Sequence, residues 1–159
     1  MRSVLARTLL RAACLGILAA ALPAAPALAA KTKVAALDET VVTAVTSAGK
    51  RHRYTVEVAR TEAQQARGLM YRKSMPRDRG MIFPFQPARY ASFWMENTYI
   101  PLDIIFIGTD RRVLNIVQGK PKSRDILNSI GPAIAVLELN AGESDRIGLE
   151  PGDLIEGSY

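Results

Sequence analysis

Apolar residues fall along this chain in short stretches of strand length, separated by polar and turn-forming segments. Thr40-Val41-Val42-Thr43-Ala44-Val45 is rich in β-branched residues and reads as a strand. Ser47 to Lys50 is turn material, and Tyr54, Val56 and Val58 then alternate with Thr55 and Glu57. The two segments predict a β-hairpin with one polar face. Thr61-Glu62-Ala63-Gln64 matches a capping box, so a helix is expected from Glu62 to about Tyr71 with Ala63, Ala66 and Met70 on its inner face. Met81-Ile82-Phe83 reads as a short strand that Pro84 ends or confines to an edge. Ser92–Glu96, Leu102–Ile107, Val113–Val117, Ala133–Leu139 and Leu154-Ile155 complete the strands, with basic, Pro-containing surface loop between residues 119 and 129. Asn140 to Glu143 is a second capping signature, opening a short helix that Gly148 ends. The predicted fold is α+β and mainly antiparallel β: a small barrel- or sandwich-like domain with one longer helix and one short helix.

The first thirty residues follow a different pattern. Arg2, Arg7 and Arg11 precede an apolar run from Ala12 to Leu22, Pro23 and Pro26 break it, and Ala27-Leu28-Ala29 supplies small residues at a cleavage position. This is the pattern of a secretory signal peptide. The run spans about eleven residues where a bilayer-crossing helix needs roughly 20, so no transmembrane segment is expected in the mature chain. Cys14 lacks the preceding apolar residue of a lipobox. The expected organisation is therefore a signal peptide over 1–29, a loose leader over 30–39 and one domain over 40–159, exported to the periplasm or secreted after cleavage following Ala29.

Composition then removes much of the available chemistry. The formal charge of +6 falls to +3 once the three arginines of the signal leave without any acid. Nucleic acid is not an expected partner, because the compartment is wrong and aromatic and basic residues are not interleaved. The one cysteine, Cys14, leaves with the signal, so disulfides, thiolate metal sites and cysteine nucleophiles are absent from the mature domain. One histidine, His52, cannot build an ordinary zinc site within one subunit. It lies in Lys50-Arg51-His52-Arg53 after Gly49 and reads as a solvated turn residue. No cofactor is expected.

Several motifs in order carry a family resemblance. Arg67-Gly68-Leu69-Met70 is followed by Gly80-Met81-Ile82-Phe83, then Phe93-Trp94-Met95-Glu96-Asn97 with Pro101-Leu102-Asp103, and finally Glu138-Leu139-Asn140-Ala141-Gly142 and Gly152-Asp153. Over residues 41–156 the chain resembles the DUF192 (UPF0127) family. The resemblance implies a compact β-rich domain, often exported or lipid-anchored, and it implies no reaction. The plain signal sequence departs from the lipid-anchored members.

The stretch from Phe93 to Ile107 concentrates what polar chemistry is left, because Glu96, Asn97 and Asp103 interrupt two apolar segments. If those segments pair as a hairpin, the two carboxylates lie near the same end of a sheet, and register decides whether they face one space. Three readings stay open. In a structural reading, Asn97 turns the loop, Pro101 fixes the strand entry and Asp103 accepts bonds from loop amides. Glu96 then pairs with an arginine such as Arg67 or Arg72. In a binding reading, Trp94 and Tyr99 stack on a small polar ligand or envelope component while Arg67, Glu96, Asn97 and Asp103 fix its polar groups. In an enzymatic reading, Glu96 and Asp103 act as the acid and the base or nucleophile of a glycan hydrolase, their separation setting which. A soft-metal variant uses the thioethers of Met70, Met81 and Met95, with Met75 nearby, for Cu(I), against the commoner use of Met as core filler. Arg77 and Arg79 read as solvated loop charges. The reading carried forward is a non-catalytic binding or accessory domain with its site around residues 94–103.

Overall fold

A computed structural model describes residues 36–159. The stretch read above as a signal peptide and most of the expected leader lie outside the described residues. Seven strands form one sheet in the order β6-β5-β8-β3-β2-β1-β9, and β4 and β7 form a separate two-stranded ribbon. The strands are β1 (Asp38–Val45), β2 (Arg51–Val58), β3 (Arg79–Arg89), β4 (Ser92–Phe93), β5 (Leu102–Gly108), β6 (Val113–Gly119), β7 (Leu127–Asn128), β8 (Ala133–Asn140) and β9 (Leu154–Gly157). All neighbours are antiparallel except β2 and β3. The sheet curls into a half-barrel. At one end its edges meet, since Arg112 bridges Leu154 and the Val113 amide donates to the Asp153 carbonyl at 2.8 Å.

The predicted β1–β2 hairpin forms as read, with Val42 opposite Tyr54, and Gly49 turns the chain at φ 75°. β1 begins earlier than expected: Asp38 and Glu39, assigned to the leader, already pair with Val58 and Glu57. His52 lies in β2 opposite Ala44, not in the turn, and its Nε2 is buried without a partner among the described residues.

The continuous apolar runs of β5 and β8 have a simple cause. These strands are central and buried on both faces, so both parities must be apolar. Ile105, Ile107, Leu137 and Leu139 face the inside of the curl with Val42, Val56, Ile82 and Ile155. Ile104, Phe106 and Val136 face outward with Met81 and Phe83, where β4, β7 and the loops around them cover them. β3 is also interior rather than an edge. Pro84 is tolerated there because pairing with β2 stops at Ile82, so no partner strand needs its missing N–H. The carbonyl of Pro84 is taken instead by Gln65 Nε2 at 3.0 Å. Gly80 permits the close approach of β3 to β8, since a Cβ there would sit 2.5 Å from the Glu138 carbonyl oxygen.

Both helices are short. α1 (Glu62–Arg67) opens on the predicted capping box, with Thr61 Oγ1 accepting from the Gln64 amide at 3.2 Å and Gln64 Oε1 accepting from the Thr61 amide at 2.9 Å. It stops four residues before the expected Tyr71, because Gly68 takes φ 45° and turns the chain. The expected inner face is not realised: Ala63 and Ala66 are exposed, and Leu69, past the helix, enters the core. α2 (Glu143–Ile147) ends at Gly148 as read. Gly142 at its start has no capping side chain, and Asn140 donates instead to the carbonyls of Met75 and Pro76. Among the described residues no helix is long and apolar enough to cross a membrane.

Candidate functional site

The stretch from Phe93 to Ile107 is not a hairpin. β5 pairs with β6 and β8, while the segment before it contributes only Ser92 and Phe93 to the ribbon with β7. Glu96 and Asp103 therefore end on opposite sides of the main sheet. Asp103 shares the parity of Ile105 and points into the curl, 1% exposed. Its Oδ1 accepts from the Gly142 amide at 3.0 Å and its Oδ2 from the Ser144 amide at 2.8 Å. It is the N-terminal cap of α2, supplied from a strand roughly forty residues earlier. Glu96 sits in the outer covering layer, following buried Met95, and accepts from Arg124 Nη2 at 2.6 Å. Each carboxylate thus has its own protein partner, a backbone pair for Asp103 and an exposed arginine for Glu96.

The other predicted residues separate in the same way. Asn97 holds φ 59° and its carbonyl accepts from the Tyr71 amide at 2.9 Å, which makes it a turn residue. Tyr99 meets the Tyr71 ring edge to face, with Lys122 Nζ 5.2 Å from its centroid. Arg67 does not pair with Glu96; its guanidinium lies 5.8 Å from the Tyr71 ring. Arg72 does not pair with Glu96 either, and forks onto Glu57 with two 2.6 Å bonds. Met81 and Met95 are core side chains, and Met95 Sδ packs so closely on Gly119 that a Cβ there would lie 2.5 Å from it. Among the described residues no group of three or more His, Cys, Asp or Glu side chains is placed to hold a metal ion.

What the fold does build is a cleft of about 360 Å³ between α1 and the outer face of the sheet. Trp94 and Arg67, two of the predicted residues, line it, and so does Met70. Phe83, Phe93 and Leu69 give it an apolar floor, the two phenylalanine rings meeting edge to face at 5.1 Å. Arg89 stands at the rim with its guanidinium 4.3 Å over the Phe85 ring. Trp94 is half-exposed there, an apolar plane left partly open by the described residues.

The cleft also holds a carboxylate that pattern reading passed over. Glu138 is the only charged residue of β8 and shares the outward parity of Val136. Across the sheet it lies in one row with Ile104 on β5, Met81 on β3 and Glu57 on β2. It is 5% exposed and lines the cleft. No hydrogen bond reaches its carboxylate from the described residues. The cation that acts on it, Arg72, is already forked onto Glu57. Burial therefore dominates, pushing the carboxyl up to about 8 against the weaker pull of Arg72. At neutral pH the group is largely a neutral acid. Its signal in the sequence was a lone Glu inside Ala-Ile-Ala-Val-Leu-Glu-Leu, where central-strand burial leaves no wet face for it.

A second polar cluster lies between β2 and α2. Tyr54 donates to Glu143 Oε1 at 2.8 Å, and Arg146 Nε donates to Glu143 Oε2 at 2.8 Å. The Arg146 guanidinium holds the Glu143 carboxyl below its ordinary value, and burial followed by the Glu143 bond pushes the Tyr54 phenol up. Every member is paired, so the cluster reads as a lock between β2 and α2.

Comparison with other proteins agrees with this architecture. A protein from Sinorhizobium meliloti 1021, provisionally described as a transcription regulator, is 42% identical with a TM-score of 0.75, over 77% of this chain and 95% of its own. A protein of unknown function from Novosphingobium aromaticivorans DSM 12444 is 45% identical with a TM-score of 0.74, over 87% of this chain and 94% of its own. No curated protein matches the chain. The DUF192 family model, described as "Uncharacterized ACR", matches residues 43–157. A match across that much of the sequence, with the half-barrel of the solved relatives, means that the chain belongs to the DUF192 family.

Proposed function

We propose that this protein is an exported, non-catalytic binding domain that takes a small ligand in the cleft beside Trp94. The observation that carries the reading is Glu138, a buried carboxylate that accepts no hydrogen bond from the described residues, at the wall of an apolar, aromatic cleft. Burying an acid without donors costs several kcal/mol if it is charged and wastes hydrogen-bonding capacity if it is neutral. Such a group is ordinarily absent from a domain of this size unless something else satisfies it. The cleft volume of about 360 Å³ falls in the range of small-molecule pockets, roughly 300–1,000 Å³. A binding role, rather than a catalytic one, is favoured because Glu96 and Asp103 are both engaged in structural contacts on opposite sides of the sheet. Export rests on the charged, apolar and small-residue succession of the first 29 residues.

Two measurements test the two halves of the reading. Amide NMR shifts, followed while fragments of neutral, cationic, anionic and zwitterionic character are titrated, should move residues around Trp94, Leu69 and Glu138 together, and Trp94→Ala should weaken the responding fragments several-fold. Absence of any response at those residues across the library sinks the binding role. Mass spectrometry of the protein recovered from the producing cell should show a chain beginning at Ala30, and an intact N-terminus on cytoplasmic protein would sink export.

A further inference from the structure

The geometry points to a zwitterionic ligand of single-ring size, with its ammonium on Glu138, its apolar body on Phe83 and Phe93, and its anionic group at Arg67 and Arg89. The inference rests on the binding role assigned above and adds the chemical class of the ligand. Three features of one cleft support it. Glu138 is 5% exposed, faces the cleft and accepts no bond from the described residues. A primary ammonium brings three donors and the opposite charge to that acceptor, which is what a buried carboxylate lacks. A metal ion is a poor alternative, because a hard cation needs several oxygen ligands and Glu138 is the one acid at this depth.

The floor supplies the second feature. Phe83 and Phe93 present aromatic surface between the acid and the opening, with Trp94 half-exposed beyond them. Aromatic faces accept both an apolar body and a nearby cation. The third feature is the rim. Arg67 and Arg89 form no ion pair with any described residue; each lies over an aromatic ring, and Arg89 touches Gln65 at 3.4 Å. Exposed Glu62 is the opposing charge there. Two guanidiniums would repel a bare cation on entry and suit one that carries its own anion at the far end, since the guanidinium fork matches a carboxylate.

Charge linkage gives the inference its own signature. The groups that face Glu138 from the surrounding elements are Arg72 and Glu57, already forked to each other, and the rim residues Glu62, Arg67 and Arg89. An ammonium placed against Glu138 favours its ionised form, so an arriving ligand of that charge drives a proton off it. Binding below pH 8 then releases a proton from it, and affinity rises with pH until the acid is already ionised.

The test is calorimetric titration of the full chain with four probes of one shape: L-phenylalanine, phenethylamine, phenylacetate and benzyl alcohol. L-phenylalanine should bind tightest. Near pH 6.5, titrations in buffers of different ionisation enthalpy should show close to one proton released. Glu138→Gln should weaken L-phenylalanine at least tenfold and abolish the proton release, its fold being checked by unchanged thermal unfolding at pH 5, where the native group is also neutral. The Arg67→Ala/Arg89→Ala double variant should weaken L-phenylalanine several-fold and leave phenethylamine unaffected or improved. If phenethylamine, phenylacetate or benzyl alcohol binds as tightly as L-phenylalanine, the zwitterion is overturned while the cleft stands as a binding site. Tight L-phenylalanine binding that Glu138→Gln does not change overturns it too. If none of the four binds, the ligand class falls, and the NMR titration over the wider library decides separately whether the cleft binds anything.

Discussion

Two buried carboxylates stand on neighbouring strands of the same sheet and could hardly be more different. Asp103 on β5 points into the curl, and Glu138 on β8 points out of it. Both are at most 5% exposed. Asp103 receives two backbone N–H bonds and starts a helix with them. Glu138 receives none from the described residues and lines a cleft. Burial alone therefore says little about what an acid is for; its donors decide. A carboxylate whose acceptors are filled by the chain's own amides has its role inside the fold. One left without donors keeps its capacity for something from outside. Glu96 is a third case, exposed enough that its arginine partner is an ordinary surface pair.

The largest effect that tests the comparison is a pH dependence. Glu138 keeps its proton in the folded chain up to about pH 8, while in the unfolded chain it loses it near its ordinary 4.5. Between those values the folded state holds one more proton than the unfolded state, so stability must fall as pH rises, by about 1.4 kcal/mol per unit at full slope. Glu138→Gln removes that contribution. Denaturant unfolding from pH 5 to 8 should show the variant gaining on the native protein steadily with pH, by a few kcal/mol across the window. A constant difference would mean that Glu138 is solvated or paired after all. Asp103→Ala comes next. It strips the cap from Gly142 and Ser144 at a buried site and should cost about 2–3 kcal/mol at neutral pH, read as a lower urea midpoint with unchanged slope. Loss below about 0.5 kcal/mol would make Asp103 no more structural than a surface acid.

Legibility in the sequence follows the range of the contacts involved. The β1–β2 hairpin, the Thr61–Gln64 capping box and the Gly148 stop were readable because each depends on residues within one turn or one hairpin of each other. The α+β class followed from the same short-range signals, and the family from motifs in order. What failed was long-range. Nothing near Asp103 says that its amides come from Gly142 and Ser144, and the short gap between Glu96 and Asp103 suggested a hairpin that β6 and β8 pre-empt. Pro84 looked like an edge signal, yet β3 is interior because its partner on that side stops first. The parallel pairing of β2 with β3, enclosing α1, sets the cleft, and parallel partners leave no local turn to read. Within the cleft, Trp94 and Arg67 were legible as candidates, while Glu138 was visible only as part of a family motif. Its isolation in an apolar strand becomes informative once both faces of β8 are known to be buried.

The smallest effect sharpens the same contrast from its weak side. Glu96 meets Arg124 at 2.6 Å, but the arginine side chain is 78% exposed. An ion pair between such groups gains little Coulomb energy in water-like surroundings and spends side-chain entropy to hold its geometry. Glu96→Gln should therefore change stability by less than about 0.5 kcal/mol, and that small change should shrink further in high salt because exposed charges are screened. It should also leave the ligand response at Glu138 unaltered, since Glu96 does not line the cleft. A large loss from Glu96→Gln, or a change in binding, would place it in one network with the cleft and dissolve the distinction between an acid satisfied at the surface, one satisfied in the core and one left open.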